Sequence, residues 1–216
     1  MQKTELLTRI AAVRRDLGSM LFHFTRSSPQ EGGKPPRKAY DNLQSILREG
    51  RIRGFGNSIM GGHKCVCFTE APITEMAALF NLARISSPDE PKPPYEPYGV
   101  AVTKKWLFER GGRPVIYQPP AEYELLPNQL QYRHVSYDPC GGPDVTWERE
   151  WRIQTDTLAL DHEQCLVIVP EAAEAFYITY EHADLEVDSY SNEGEPEHAT
   201  HFASWLCVSL DFFGLT

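Results

Sequence analysis

The chain's apolar residues come in short runs of strand length, and these runs alternate poorly with helical segments. Met20–Thr25, Lys64–Thr69, Gly99–Thr103, Pro114–Tyr117, Glu148–Gln154, Cys165–Val169 and Trp205–Leu210 each read as one strand. Helical periodicity falls at 4–17, 38–49, 73–83 and 104–110, and Gly18 and Gly50 supply stops for the first two. A doubly wound parallel sheet needs a helix between most pairs of strands, so this order predicts an α+β protein with a mixed or antiparallel sheet core and flanking helices. The Pro, Gly and Ser of 27–37, the glycines of 54–62 and the five prolines of 86–98 mark loops, the last a candidate surface loop or lid. The stretch 118–135 is ambiguous, with a helical turn at 121–126. Another turn is expected at 171–175, and the acidic stretch after Tyr180 reads as exposed.

At 216 residues the chain can bury one full core. We read it as a single domain over 1–216, with the acidic segment 171–216 a candidate for a peripheral position. No apolar run approaches the ~18 residues of a membrane span, and Met1–Gly18 mixes charges among its Leu and Ile, unlike a signal peptide. Five cysteines without Cys-x-x-Cys spacing read as reduced thiols, which suits the cytoplasm. The net charge of −9 conceals a polarity. From Arg26 to Lys64 there are eight Lys or Arg and three Asp or Glu; from Thr155 to Thr216 there are thirteen Asp or Glu and no Lys or Arg. The basic part suits a pyrophosphate or a short nucleic-acid strand. The acidic part suits a basic partner or folds back on Arg51 and Arg53. A solvated surface of uneven composition accounts for the same numbers.

Three motifs carry chemistry. In His23-Phe24-Thr25, strand alternation puts His23 and Thr25 on one side and Phe22 and Phe24 on the other. A His and a Thr hydroxyl side by side can bind a ribose or an amide; the pattern equally suits a histidine at a core edge. In Glu148-Arg149-Glu150-Trp151-Arg152, one strand face carries Glu148, Glu150 and Arg152. A carboxylate among arginines can bind a ribose hydroxyl and stabilise an oxocarbenium-like state, or belong to an ion-pair ladder. The third motif, Val66-Cys67-Phe68-Thr69, lies between them. His63, Cys65 and Cys67 share a face but lack a fourth ligand and the usual zinc spacing. His198 and His201, at i and i+3 in an acidic loop, are an equally poor candidate. No P-loop or Gly-x-Ser-x-Gly motif is present.

The run His23-Phe24-Thr25, Asn42-Leu43-Gln44-Ser45-Ile46-Leu47-Arg48-Glu49-Gly50, Val66-Cys67-Phe68-Thr69-Glu70-Ala71-Pro72 resembles the DarT-type DNA ADP-ribosyltransferases. The stretch from Phe68 through Tyr98–Tyr117 to Trp147–Ile153 is closer to the AbiGi-type abortive-infection proteins of phage defence. The resemblance covers about residues 20–170. It implies an ADP-ribosyltransferase-like fold and NAD as substrate. His23 and Thr25 would contact NAD, Asn42 would lie on the helix beside it, and Glu150 would be the catalytic carboxylate. The DarT-type pattern has an Arg just after the middle strand. This chain has Thr69-Glu70-Ala71-Pro72 there, and Arg51, Arg53 and Arg152 are the candidates to replace it. The expectation is an NAD-dependent ADP-ribosyltransferase-like toxin or phage-defence protein modifying a nucleic acid or protein, with a catalytically degenerate nucleotide- or protein-binding sensor of the same fold as the alternative.

Overall fold

The structure is a computed structural model and describes residues 18–28, 35–85, 95–190, 196–203 and 205–215, together with Glu5 and Thr8. The helix expected at 4–17 and the proline-rich loop at 86–94 lie outside these residues, apart from Glu5 and Thr8, which are helical. The protein is α+β, built around a mixed sheet of β1 (Met20–Phe24), β4 (Gly99–Thr103), β10 (Cys165–Val169) and β13 (Leu206–Ser209), in the order β1-β4-β10-β13. β4 runs antiparallel to β1 and β10, and β10 runs parallel to β13.

The pleat explains how this sheet is covered. Leu21, Val100, Val102, Val167 and Val169 face one side, where they meet Leu43 and Leu47 of α1 (Ala39–Glu49) and Ile178 of α5 (Ala172–Glu181). Their neighbours Phe22, Phe24, Ala101 and Ile168 face the other, against Met76 and Phe80 of α2 (Ile73–Ile85). A sheet covered on both faces has nearly continuous apolar strands, as Cys165–Val169 shows. α1 ends where expected: Gly50 takes φ 61° and its N–H closes on the Ile46 and Leu47 carbonyls.

A second sheet, ordered β3-β8-β5, joins β3 (Cys65–Phe68), β8 (Trp151–Gln154) and β5 (Arg113–Pro114). It meets the first at one antiparallel bridge, where Phe22 and Thr69 exchange both backbone hydrogen bonds at 2.9 and 2.8 Å. Smaller pairs complete the described residues. β2 (Arg51–Arg53) pairs with β9 (Thr157–Ala159), and β6 (Ile116–Gln118) with β7 (His134–Ser136). β11 (Ala183–Tyr190) and β12 (Pro196–Ala203) form a hairpin. α3 (Lys104–Glu109) follows β4 directly, its first turn capped by the Thr103 hydroxyl, and α4 (Asn128–Gln131) is one turn. Among the described residues no helix is long and apolar enough to cross a membrane.

Several expectations are corrected. The strand expected at 148–154 begins only at Trp151. Thr146–Glu148 is a 3₁₀ turn, and Arg149 turns the chain with φ 46° and ψ 50°. The run at 114–117 splits because Val115 donates to the Glu150 carbonyl, leaving Arg113–Pro114 to pair with β8 and Ile116–Gln118 with β7. The turn expected at 171–175 continues as α5 to Glu181, and the stretch after Tyr180 pairs as β11 and β12.

Gly99 is a point of close approach. A Cβ there would lie 2.4 Å from the carbonyl oxygen of His23 and 3.0 Å from the Phe24 Cα, so neither backbone can yield cheaply. Gly99→Ala is expected to lower unfolding stability by about 1–3 kcal/mol, read from a lower urea midpoint at unchanged slope. An unchanged midpoint would contradict this β1–β4 packing.

Candidate functional site

At the seam between the two sheets lies a cleft of about 480 Å³. It forms because β1 supplies one wall and the β3–β8 pair another, while the turn before β8 folds across between them. His23, Cys67, Tyr95, Tyr117, Glu148, Glu150 and Arg152 give it its polar chemistry; Phe22, Phe24, Ile59 and Phe68 give it apolar walls. His23 and Glu150, 127 positions apart in the chain, thus line one space.

Glu150 and Arg152 form its centre. Arg152 Nε donates to Glu150 Oε1 at 2.7 Å and Nη2 to Oε2 at 3.0 Å, a bidentate pair whose side chains are only 7% and 14% exposed. The remaining guanidinium nitrogen, Nη1, donates to the carbonyls of Tyr132 and His134 at 3.0 and 2.9 Å. Burial disfavours the charge on Arg152, but the Glu150 carboxylate outweighs it and holds the guanidinium above its ordinary pKa. The Tyr117 phenol accepts the Glu150 N–H at 3.1 Å. Cys67 stands opposite Arg152 in the β3–β8 register, and burial, with the Glu150 charge beside it, pushes its thiol far up.

Glu148 is the second carboxyl. Burial raises its pKa and the nearby Glu150 charge adds to the effect, against a hydrogen bond from the Tyr95 phenol. Its backbone is clamped: the Glu148 carbonyl accepts from the Thr69 hydroxyl at 2.6 Å and from the Glu70 N–H at 3.1 Å. The Glu70 carboxylate, itself buried, accepts from the Trp151 indole at 2.9 Å and pairs with Lys104 of α3. Thr69 and Glu70 therefore fix both ends of the turn that presents Glu148 and Glu150.

His23 Nδ1 lies 2.8 Å from the Cys67 carbonyl. A carbonyl only accepts, so Nδ1 carries the proton and Nε2 is the acceptor of the neutral ring. Burial lowers the His23 pKa, partly offset by that carbonyl, which keeps the ring neutral near pH 7.

The other expected site residues are engaged elsewhere. Thr25 is buried, and its hydroxyl serves the carbonyls of Ala39 and Tyr98 at 2.8 and 3.0 Å, tying the end of β1 to α1 and to the segment entering β4. Asn42 donates to the Arg26 carbonyl at 2.8 Å, outside the cleft lining. Arg51 and Arg53 close on Glu49 at the end of α1, at 3.2 and 2.9 Å, not on the acidic part of the chain. The basic stretch is neutralised further by Lys64–Asp156 and Arg48–Glu181. His63 hydrogen-bonds the Tyr123 phenol rather than joining Cys65 and Cys67. Among the described residues no three His, Cys, Asp or Glu side chains gather in a metal-binding group. Tyr95 and Tyr117 were not singled out by the sequence as groups of this site; their roles depend on partners far along the chain.

Comparison with protein-family models, with curated proteins and with solved structures gives no significant match.

The His23 ring sets a pH dependence. Its folded pKa lies below the ordinary 6.5, so the unfolded chain binds more protons as pH falls below that value. Stability is fully present above about pH 6.5 and declines on acidification. Chemical unfolding at pH 7.5 and 5.5 is expected to show a larger loss for the native chain than for His23→Gln, which can still donate to the Cys67 carbonyl. Equal losses would mean that His23 is not buried in its neutral form.

Proposed function

We propose that the cleft cleaves the glycosidic bond of NAD and transfers ADP-ribose to a nucleic acid or protein acceptor, in the manner of an ADP-ribosyltransferase. The observation that carries this reading is the Glu150–Arg152 pair, which fixes one carboxylate in a half-apolar cleft shared with a neutral histidine. When the bond between ribose C1′ and nicotinamide breaks, the electron pair leaves with nicotinamide and positive charge builds on the ribose. A carboxylate that is already oriented stabilises that charge without reorganising. His23 Nε2 can accept a hydrogen bond from a ribose hydroxyl or from the carboxamide. The acceptor then bonds to C1′ and loses a proton. Glu148, its pKa raised by burial, is suited to take that proton. Such chemistry fits a bacterial toxin or phage-defence protein acting in the cytoplasm.

One observation favours the second reading, a binding module that senses a nucleotide or a protein. All three guanidinium nitrogens of Arg152, the cation among the described cleft residues, are already bonded, so a pyrophosphate finds no free cation among them.

Free nicotinamide released from NAD separates the readings. Glu150→Gln keeps the shape and removes the charge, and is expected to slow release by about 100-fold or more. Glu148→Gln, which touches only the acceptor step, should release nicotinamide at close to the native rate. Similar behaviour of the two variants would remove Glu150 from its role. NAD binding without any release by the native chain would favour the sensor.

A further inference from the structure

The outward face of α5 is aromatic. Ala173, Phe176, Tyr177 and Tyr180 fall at i, i+3, i+4 and i+7, one stripe of a helix, and all four are exposed. Phe176, Tyr177 and Tyr180 are 60%, 67% and 64% exposed, although Ile178 on the opposite face is fully buried in the core. The rings are mutually ordered: the Phe176 centroid lies 4.6 Å from that of Tyr180 and 6.4 Å from that of Tyr177. At the amino end of the same helix, Asp211 accepts the Ala172 N–H and starts a turn whose Phe212 and Phe213 are 79% and 65% exposed. Each aromatic side chain can bury about 150–250 Å². Phe176, Tyr177 and Tyr180 make one contiguous aromatic stripe rather than scattered surface apolar residues.

Charge narrows what can cover it. The stripe sits within residues 155–216, which hold thirteen Asp or Glu and no Lys or Arg. Glu171 precedes the helix, Glu174 lies in its first turn, Glu181 ends it, and Asp211 sits at its amino end. Arg48 reaches α5 only at its carboxyl end, where it pairs with Glu181. A two-fold dimer through this face would set carboxylates against carboxylates. An anionic lipid surface would meet the same repulsion.

We propose that the outward face of α5 is a docking surface for a basic protein segment, which lays aliphatic side chains on Phe176 and Tyr177 and brings arginine or lysine to the surrounding carboxylates. The partner is the complement of the acidic half of this chain, and its docking is independent of the cleft chemistry.

The test uses the full chain, a synthetic amphipathic helix of leucine and arginine, and the same peptide with glutamate in place of arginine. The native chain is expected to be monomeric in light scattering and to bind the arginine peptide, more weakly as salt rises. Phe176→Ser with Tyr177→Ser should keep the native unfolding midpoint, because both rings are exposed, and weaken that binding about ten-fold or more. No binding of the arginine peptide, equal binding of the glutamate peptide, or undiminished binding by the double variant would overturn the proposal. So would a native dimer that the two substitutions dissociate, which would make a second copy the occupant. Peptide binding seen only after Leu6→Asp and Ile10→Asp, two apolar positions of the periodicity expected at 4–17, would assign the face to that segment and overturn the proposal as well.

Discussion

The buried pair of Glu150 and Arg152 is the interaction on which the rest of the site depends. Withdrawing two charges from water costs several kcal/mol each, and their attraction offsets this only where the geometry is good and the other polar atoms are satisfied. Both conditions hold. The pair is bidentate, and the remaining guanidinium nitrogen reaches two carbonyls, one on each side of Arg133. Arg152 therefore ties the entry to β7 to the start of β8 as well as fixing the carboxylate. Removing either partner would leave the other charge buried alone, so the pair orients the cleft more than it stabilises the fold.

The segment after β3 shows how the cleft is braced. The Glu70 carboxylate takes the Trp151 indole and the Lys104 ammonium. Its backbone N–H and the Thr69 hydroxyl hold the Glu148 carbonyl. The position is structural in this chain: it braces the turn that carries both carboxyls. The consequence for ligand chemistry is a cleft that suits a ribose, a carboxamide or a developing positive charge better than a phosphate.

Much of the fold was legible because local rules and packing agree. The alternation in Met20–Phe24, the stripe of Leu43 and Leu47 ending at Gly50, and the apolar run Cys165–Val169 specify β1, α1 and β10. Pairing Glu150 with Arg152 was also legible, two positions apart, although the strand starts later than expected. Arg149 adopts a left-handed conformation uncommon outside glycine, and nothing in its identity announces it. Thr25 misled for a different reason. A short hydroxyl is readily taken by backbone, and its acceptor at Tyr98 lies 73 residues away. For Arg51 and Arg53 the signal was present in Glu49, two and four positions earlier, and local pairing prevailed over a distant ligand role.

The central claim, that Glu150 is held in place by a buried partner rather than by solvent, is tested most directly by a double-mutant cycle in equilibrium unfolding. Arg152→Met alone is expected to cost about 3–5 kcal/mol, because it leaves a buried carboxylate unpaired. Glu150→Leu should destabilise the native chain yet stabilise the Arg152→Met background, a coupling of opposite sign in the two contexts. Equal and additive effects of the two substitutions would contradict the claim, and would leave Glu150 an ordinary exposed carboxylate with no fixed place in the cleft.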